Sequence, residues 1–224
     1  MVAERGFELI LKDSLLASYY VYVVDDDRDV RLSLSFMLSA SGVKTYPFGS
    51  GVDFLEALPD LEPGCVLLDL RMPQLDGFQV MAQLVERNID WPVIVMTGHG
   101  EIPSAVRAMK LGAIDFIEKP FSEETLLACF KQAFALLEER GAAGRRRREA
   151  NERVASLSSR ECEVLRHLLS GRSNKEIANA LGISLRTVEM HRSNMMDRLQ
   201  ASSLAEALKL ALDADIEPAG EAAT

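Results

Sequence analysis

Long hydrophobic runs are missing from this sequence. No stretch of its 224 residues approaches the ~20 consecutive apolar positions that a membrane-spanning helix needs. The N-terminal segment MVAERGFELILKDSLLAS is interrupted by Glu4, Glu8, Lys12 and Asp13, so it lacks the apolar core of a signal peptide. Cysteine is scarce. Cys65, Cys129 and Cys162 are scattered, odd in number and form no CxxC, which argues against a disulfide framework or a zinc ribbon and fits a reducing compartment. These absences predict a cytoplasmic protein with no membrane partner. Composition is not skewed either: 48% apolar and 26% charged residues exclude chain-wide disorder and collagen-like classes. The length suits one or two domains with a well-buried core.

What the chain does have is charge segregated along its length. Residues 1–139 carry 11 basic against 22 acidic side chains, residues 140–209 carry 14 against 8, and residues 210–224 carry only 4 acids. An acidic body followed by a basic module predicts two domains with different partners, a cation or protein for the first and nucleic acid for the second. A basic helical surface that is merely solvated is the plainer alternative.

The first 140 residues alternate between two patterns. Apolar runs rich in β-branched residues occur at 20–25, 43–48, 65–70, 92–97 and 113–118. Helical spacing lies between and after them, with Val30, Leu34, Met37 and Leu38 on one face of 28–40 and Phe78, Met81, Ala82 and Val85 on one face of 77–86. Residues 102–111 and 123–138 repeat it. Five strands alternating with five helices predict a doubly wound α/β fold on a five-stranded parallel sheet. Ligands of such sheets bind beyond the carboxyl ends of the strands.

Those ends are informative. The first run ends in Asp25-Asp26-Asp27, the third at Asp69 and the fourth at Thr97, and the fifth is followed by Lys119-Pro120. Converging carboxylates would repel one another unless a hard cation such as Mg²⁺ were present. A lysine and a hydroxyl opposite that cation would clamp phosphoryl oxygens, and Asp69 could then accept a phosphoryl group as an aspartyl phosphate. The structural readings are an N-cap for Asp27, a turn for Lys119-Pro120 and a core position for Phe116. An Asp25-x-Asp27 pair also opens the rival of a phosphatase with an aspartate nucleophile after the first strand. Asp29 breaks that pattern, and the rival leaves Asp69 and the KPF block unused.

VVDDD, LLDLRMPQLDG, VIVMTGHG and DFIEKPF together resemble the blocks of two-component receiver domains, over about residues 19–138. The resemblance implies a flavodoxin-like fold in which Asp69 accepts phosphate from a sensor histidine kinase. It implies that Asp25, Asp26, Asp69 and the main-chain carbonyl of Arg71 bind Mg²⁺, that Thr97 and Lys119 contact the phosphoryl oxygens, and that Phe116 is the aromatic switch residue.

The segment 136–156 changes in composition. Gly141 and Gly144 each weaken a helix by roughly 1 kcal/mol relative to Ala, while i,i+4 pairs such as Arg145–Glu149 and Arg148–Glu152 support one. A partly helical linker is expected, with room for a break near Gly141. The run Arg145 to Arg148 reads as a solvated face, with DNA phosphates as the other reading.

No strand pattern follows residue 150. Ser158 or Ser159 with Glu161 predicts a capping box before a helix that stops at Gly171. A short helix at about 174–181, a turn at Gly182-Ile183-Ser184 and a helix at about 185–199 predict a helix-turn-helix, with Ile177, Ala178, Leu181, Ile183 and Val188 in its core. A fourth helix follows at 203–214. Lys175, Thr187, His191 and Arg198 can donate to phosphates, and Glu189, Met190 and Ser193 lie on the leading face of the recognition helix. LSSRECEVL, GRSNKEIANALGIS and RTVEMHRSNMMDRL resemble the LuxR-type DNA-binding domain, which implies a DNA-contact set of Asn174, Lys175, Arg186, Thr187, Glu189, Met190, His191, Ser193 and Arg198. Many members carry Lys where Glu189 stands, so the contact map is expected to shift there. A helical docking domain without DNA binding is the alternative.

The expected organisation is an N-terminal extension or expression-vector remnant (1–18), a receiver (19–138), a helical linker (139–153), a four-helix DNA-binding domain (154–214) and a disordered acidic tail (215–224). The combination resembles the NarL/FixJ class, in the FixJ-type subgroup that includes regulators of aromatic-hydrocarbon breakdown. That implies a phosphorylation-switched transcription regulator, not an enzyme, which dimerises when phosphorylated and works with promoter DNA and RNA polymerase.

Overall fold

The computed structural model describes residues 18–98 and 102–220. The extension expected over 1–18 therefore lies outside the described residues except for Ser18, as does the His99-Gly100 pair of the fourth block. The chain divides into two compact units, residues 1–140 and 141–224.

The first unit is built on β1 (Tyr20–Val24), α1 (Arg28–Ala40), β2 (Lys44–Phe48), α2 (Gly51–Ala57), β3 (Cys65–Asp69), α3 (Gly77–Glu86), β4 (Val93–Thr97), α4 (Ile102–Lys110), β5 (Asp115–Glu118) and the part of α5 (Glu123–Ala155) that precedes residue 141. The sheet order is β2-β1-β3-β4-β5, with every neighbouring pair parallel. That is the flavodoxin-like order. The register explains why the apolar runs are continuous. Val21, Val23, Leu67, Ile94 and Met96 face one layer with Leu34, Leu38, Leu126, Phe130 and Phe134. Their alternates Tyr22, Val24, Val66, Leu68 and Val95 face the other, with Phe54, Val80, Met81 and Leu84. A sheet covered on both sides has no solvent face for polar residues to occupy. Full burial of each such side chain contributes about 1.5–3 kcal/mol.

Local chemistry sets the element ends. Asp27 is the N-cap of α1, accepting from the N–H groups of Asp29 and Val30. Asp76 caps α3 in a capping box with Gln79. Gly77, directly after that cap, allows α3 to start against the end of β3. A Cβ there would lie 2.5 Å from the Asp69 carbonyl oxygen and 2.9 Å from Leu70 Cα.

Helix α5 runs unbroken from Glu123 to Ala155, so the break allowed for near Gly141 does not occur. The two glycines weaken it, but Ala150 is fully buried and Val154 packs on the core of the second unit, and this tertiary contact outweighs local propensity.

The second unit adds α6 (Ser159–Leu169), α7 (Asn174–Leu181), α8 (Leu185–Leu199) and α9 (Leu204–Asp213). Ser158 with Glu161 and Ser173 with Glu176 form capping boxes, and Gly182 ends α7 at φ 66°. Val164, Leu165, Leu168, Ile177, Ala178, Val188, Met195, Leu199, Ala207 and Ala211 make the core, with Leu181 and Ile183 packed against it. The tail expected to be disordered from 215 is instead docked as far as Gly220. Ile216 packs on the core, and the Ala219 N–H donates to the Arg166 carbonyl at 3.0 Å. An apolar side chain and free backbone groups at the end of α6 hold it, which its acidic composition did not announce.

Two outcomes follow. Gly77→Ala costs the first unit about 1–3 kcal/mol, since backbone must give way, whereas Gly144→Ala, with nothing within 4 Å of its added Cβ, stabilises α5 by up to about 1 kcal/mol. Urea unfolding read by the fluorescence of Trp91, the one tryptophan in the sequence, checks the first, and thermal unfolding by circular dichroism the second. His167 is held below the ordinary histidine value by burial and by the neighbouring Arg172. The unfolded chain therefore takes up the proton first, and the second unit loses stability as pH falls below about 6.5. Amide protection factors in α6 at pH 7.5 and 5.5 measure this loss, and His167→Gln flattens it.

Candidate functional site

The carboxyl ends of the central strands bring three of the anticipated side chains into direct contact. Asp25 follows β1 and is 1% exposed, and Asp69 ends β3 and is 6% exposed. The Lys119 ammonium, after β5, donates to Asp25 Oδ2 at 2.7 Å and to Asp69 Oδ1 at 2.9 Å. The other carboxylate oxygens are occupied by backbone. The Asp27 N–H donates to Asp25 Oδ1 at 2.8 Å, and the Arg71 N–H donates to Asp69 Oδ2 at 2.7 Å. Thr97 ends β4 and is 2% exposed, and the Lys119 N–H donates to its carbonyl at 2.8 Å.

Burial pushes the Asp25 carboxyl above its ordinary range, against the lowering pull of Lys119 and of the Asp27 N–H. For Lys119, burial works to lower the value, but the hydrogen bonds to Asp25 and Asp69 prevail and hold it above the ordinary lysine value. The lysine thus stays charged between the two acids.

The remaining anticipated residues are disposed differently. Asp26 and the Arg71 side chain face solvent. Phe116 is half-buried against the α2–α4 layer, so its core reading holds. Asp27 is committed to the α1 cap, which removes the second acid that an Asp-x-Asp phosphatase would use. Among the described residues, no group of three or more His, Cys, Asp or Glu side chains is arranged to hold a metal ion. The donor chemistry nevertheless suits a hard cation, because all the candidate donors are carboxylate or carbonyl oxygens. Sequence reasoning missed Arg31. Its Nη1 donates to the Asp25 carbonyl at 2.6 Å, and its guanidinium lies beside Gly49. The available signal was a cation one turn into α1, next to an acid cluster that needs counter-charge.

In the second unit, α7, the Gly182 turn and α8 form the helix-turn-helix. Lys175, Arg186, Glu189, Met190 and Ser193 are exposed. The Thr187 hydroxyl shares a 2.8 Å hydrogen bond with Ser184. Asn174 accepts from Arg192 of α8. Arg198 is turned toward its own domain, donating to the Ser156 carbonyl at 2.9 Å and lying 3.5 Å from the buried Glu161 carboxylate. His191 keeps a buried Nδ1 without a hydrogen-bond partner.

The chain matches known proteins over both units. A profile for the response regulator receiver domain matches residues 21–131, and one for bacterial regulatory proteins of the luxR family matches residues 155–211. It is 45% identical to the transcriptional regulatory protein FixJ of Azorhizobium caulinodans, over 90% of this chain and 96% of that protein. Among solved structures it resembles the response regulator StyR, with TM-score 0.75, 39% identity and coverage of 86% of this chain and 98% of the other. Full-length FixJ from B. japonicum is similar with TM-score 0.56, 42% identity and coverage of 89% and 98%.

Lys119→Met leaves two close carboxylates without their cation. In metal-free buffer it is expected to destabilise the first unit by about 1–3 kcal/mol at pH 7. The deficit shrinks as pH falls toward 4, because protonating one carboxylate ends the repulsion. In the wild type the lysine's contribution is complete below the ordinary lysine value and is lost only as pH rises through the elevated one. Urea titrations read by Trp91 at pH 7 and pH 4 test the first sign, and wild-type titrations carried above the ordinary lysine value test the second.

Proposed function

We propose, from the premise that this chain belongs to the response regulators that join a receiver domain to a LuxR-family DNA-binding domain, that Asp69 is its phosphoacceptor and that phosphate on Asp69 controls DNA binding. The observation that carries this is the Lys119 ammonium shared between Asp25 and Asp69 at 2.7 and 2.9 Å. In the reaction, an Asp69 carboxylate oxygen attacks phosphorus, and the bond from phosphorus to the donor histidine nitrogen of a sensor kinase breaks as the aspartyl phosphate forms. Receiver domains bind Mg²⁺ at this site. Here Asp25, Asp26, Asp69 and the Arg71 carbonyl would hold it, where it would offset charge on the phosphoryl oxygens.

This chain's own residues do the rest. Backbone N–H groups orient both buried carboxylates, leaving Lys119 as the mobile cation. Phosphorylation adds about -1.5 to -2 charge at Asp69. Lys119 then exchanges a carboxylate for a phosphoryl oxygen, and the Thr97 hydroxyl supplies a second donor. Thr97 is coupled to β5 through the Lys119 N–H, and Phe116 on β5 follows inward. Phosphate shifts the population toward the state it binds better.

That state pairs with a second copy, and the two helix-turn-helix units present Asn174, Lys175, Arg186, Thr187, Glu189, Met190, His191, Ser193 and Arg198 to a promoter with an inverted repeat. Arg198 must leave Ser156 to do so. RNA polymerase and a cytoplasmic setting belong to the same reading, as does a regulator with no reaction of its own to turn over. The subgroup resemblance supports promoters for aromatic-hydrocarbon breakdown. Among the described residues, no helix is long and apolar enough to cross a membrane.

Incubation with acetyl phosphate and Mg²⁺ is expected to add the mass of one phosphoryl group to the wild type and none to Asp69→Asn. Intact-mass spectrometry reads this directly, and equal incorporation into the variant would put the acceptor elsewhere.

A further inference from the structure

The segment after α9 does something that neither the capping pattern nor the helix-turn-helix requires. The chain turns at Ala214-Asp215, anchors Ile216 on the core and runs back across the end of α6. There the Ala219 N–H donates to the Arg166 carbonyl at 3.0 Å, and the Ser170 hydroxyl donates to the Ala219 carbonyl at 2.9 Å. Among the described residues, the last contact of the strap is with a cation. Arg172 donates from Nη2 to the Gly220 carbonyl at 3.0 Å, while its Nη1 lies 3.0 Å from His167 Nδ1. Arg172 stands immediately before Ser173, the N-cap of α7. The first helix of a helix-turn-helix is the one that crosses the DNA backbone. The luxR-family match ends at residue 211, so this strap lies beyond it. From residue 210 onward the chain carries Asp213, Asp215, Glu217 and Glu221 and no basic residue.

We propose that Arg172 is a further DNA-phosphate contact, and that the C-terminal strap masks it by offering the Gly220 carbonyl in place of a phosphate oxygen. The inference rests on the DNA-binding reading above. A backbone carbonyl and a phosphate oxygen are both acceptors for the same guanidinium edge, and only the phosphate is charged, so DNA displaces the strap when the duplex is presented at close range. Until then, the strap withholds one cation. It thereby lowers affinity for DNA of any sequence, since phosphate contacts carry no sequence information.

Non-specific binding to a double-stranded DNA of random sequence tests this, measured for the whole chain over a range of salt. Ending the chain after Pro218 removes the Arg172 partner while keeping Ile216 on the core. The truncated protein is expected to bind more tightly, with a slope of log affinity against log salt steeper by about one unit, as for one added phosphate contact. Arg172→Gln in the truncated chain returns the slope to that of the full-length protein. Ser170→Ala, which loosens the strap without shortening the chain, moves the slope the same way by less.

An unchanged slope after truncation overturns the proposal. So does a gain of the same size from Glu221→Gln in the full-length chain, which would assign the effect to net charge alone. Failure of every protein to bind DNA, the wild type included, would remove the DNA-binding reading itself, a result distinguishable from a slope that does not move.

Discussion

One half-buried cation, Lys119, holds the site of the first unit together. Asp25 and Asp69 come from strands that are neighbours in the sheet, and their side chains leave solvent at the same end. Two carboxylates so placed would raise each other's proton affinity and resist desolvation. Lys119 answers both with one ammonium, from a strand two positions further along the sheet from β3. The parallel order brings these residues together, and the lysine places one positive charge between them. A site balanced in this way responds strongly to added charge, which is the physical basis for reading it as a switch.

The surroundings keep that balance in position. Backbone N–H groups of Asp27 and Arg71 hold the carboxylate oxygens not used by Lys119. Gly77 lets α3 begin in contact with the Asp69 carbonyl. Arg31 ties α1 to the Asp25 backbone. None of these groups is chemically reactive in the proposed transfer, yet each restricts where a reacting oxygen can be. The second unit follows a different economy. Its small core depends on capped helix ends, and several of its cations, Arg172 and Arg198 among them, are engaged by the protein's own carbonyl groups. On the proposed reading, DNA binding there is a competition between internal acceptors and phosphate.

Much of this was legible in the chain. The β-branched runs located all five strands to within two residues, because a strand buried on both faces must be apolar throughout. The helix-turn-helix boundaries were legible from Ser173, Gly182 and Ser184, since capping chemistry is local. Asp27 was readable as a cap for the same reason. Less legible were Arg31, which acts across a distance no local pattern encodes, and the unbroken α5, where the burial of Ala150 outweighs two glycines. The tail over 215–220 was misread from its acidity, because Ile216 and the acceptors at the end of α6 lie far apart in sequence, while 221–224 lie outside the described residues.

By itself, then, the sequence determined the strand and helix pattern, the identity of the acids, hydroxyl and lysine at the strand ends, and the capped helix-turn-helix. These follow from short-range sterics, hydrogen bonding and apolar periodicity, which act within a few residues. Only the tertiary structure decided that Lys119 spans both Asp25 and Asp69, that Asp26 faces solvent while Asp25 is buried, and that Arg172 and Arg198 are held by carbonyls of their own domain. Those outcomes depend on which strand ends become neighbours and which backbone groups are left without partners, quantities that exist only once distant parts of the chain have packed.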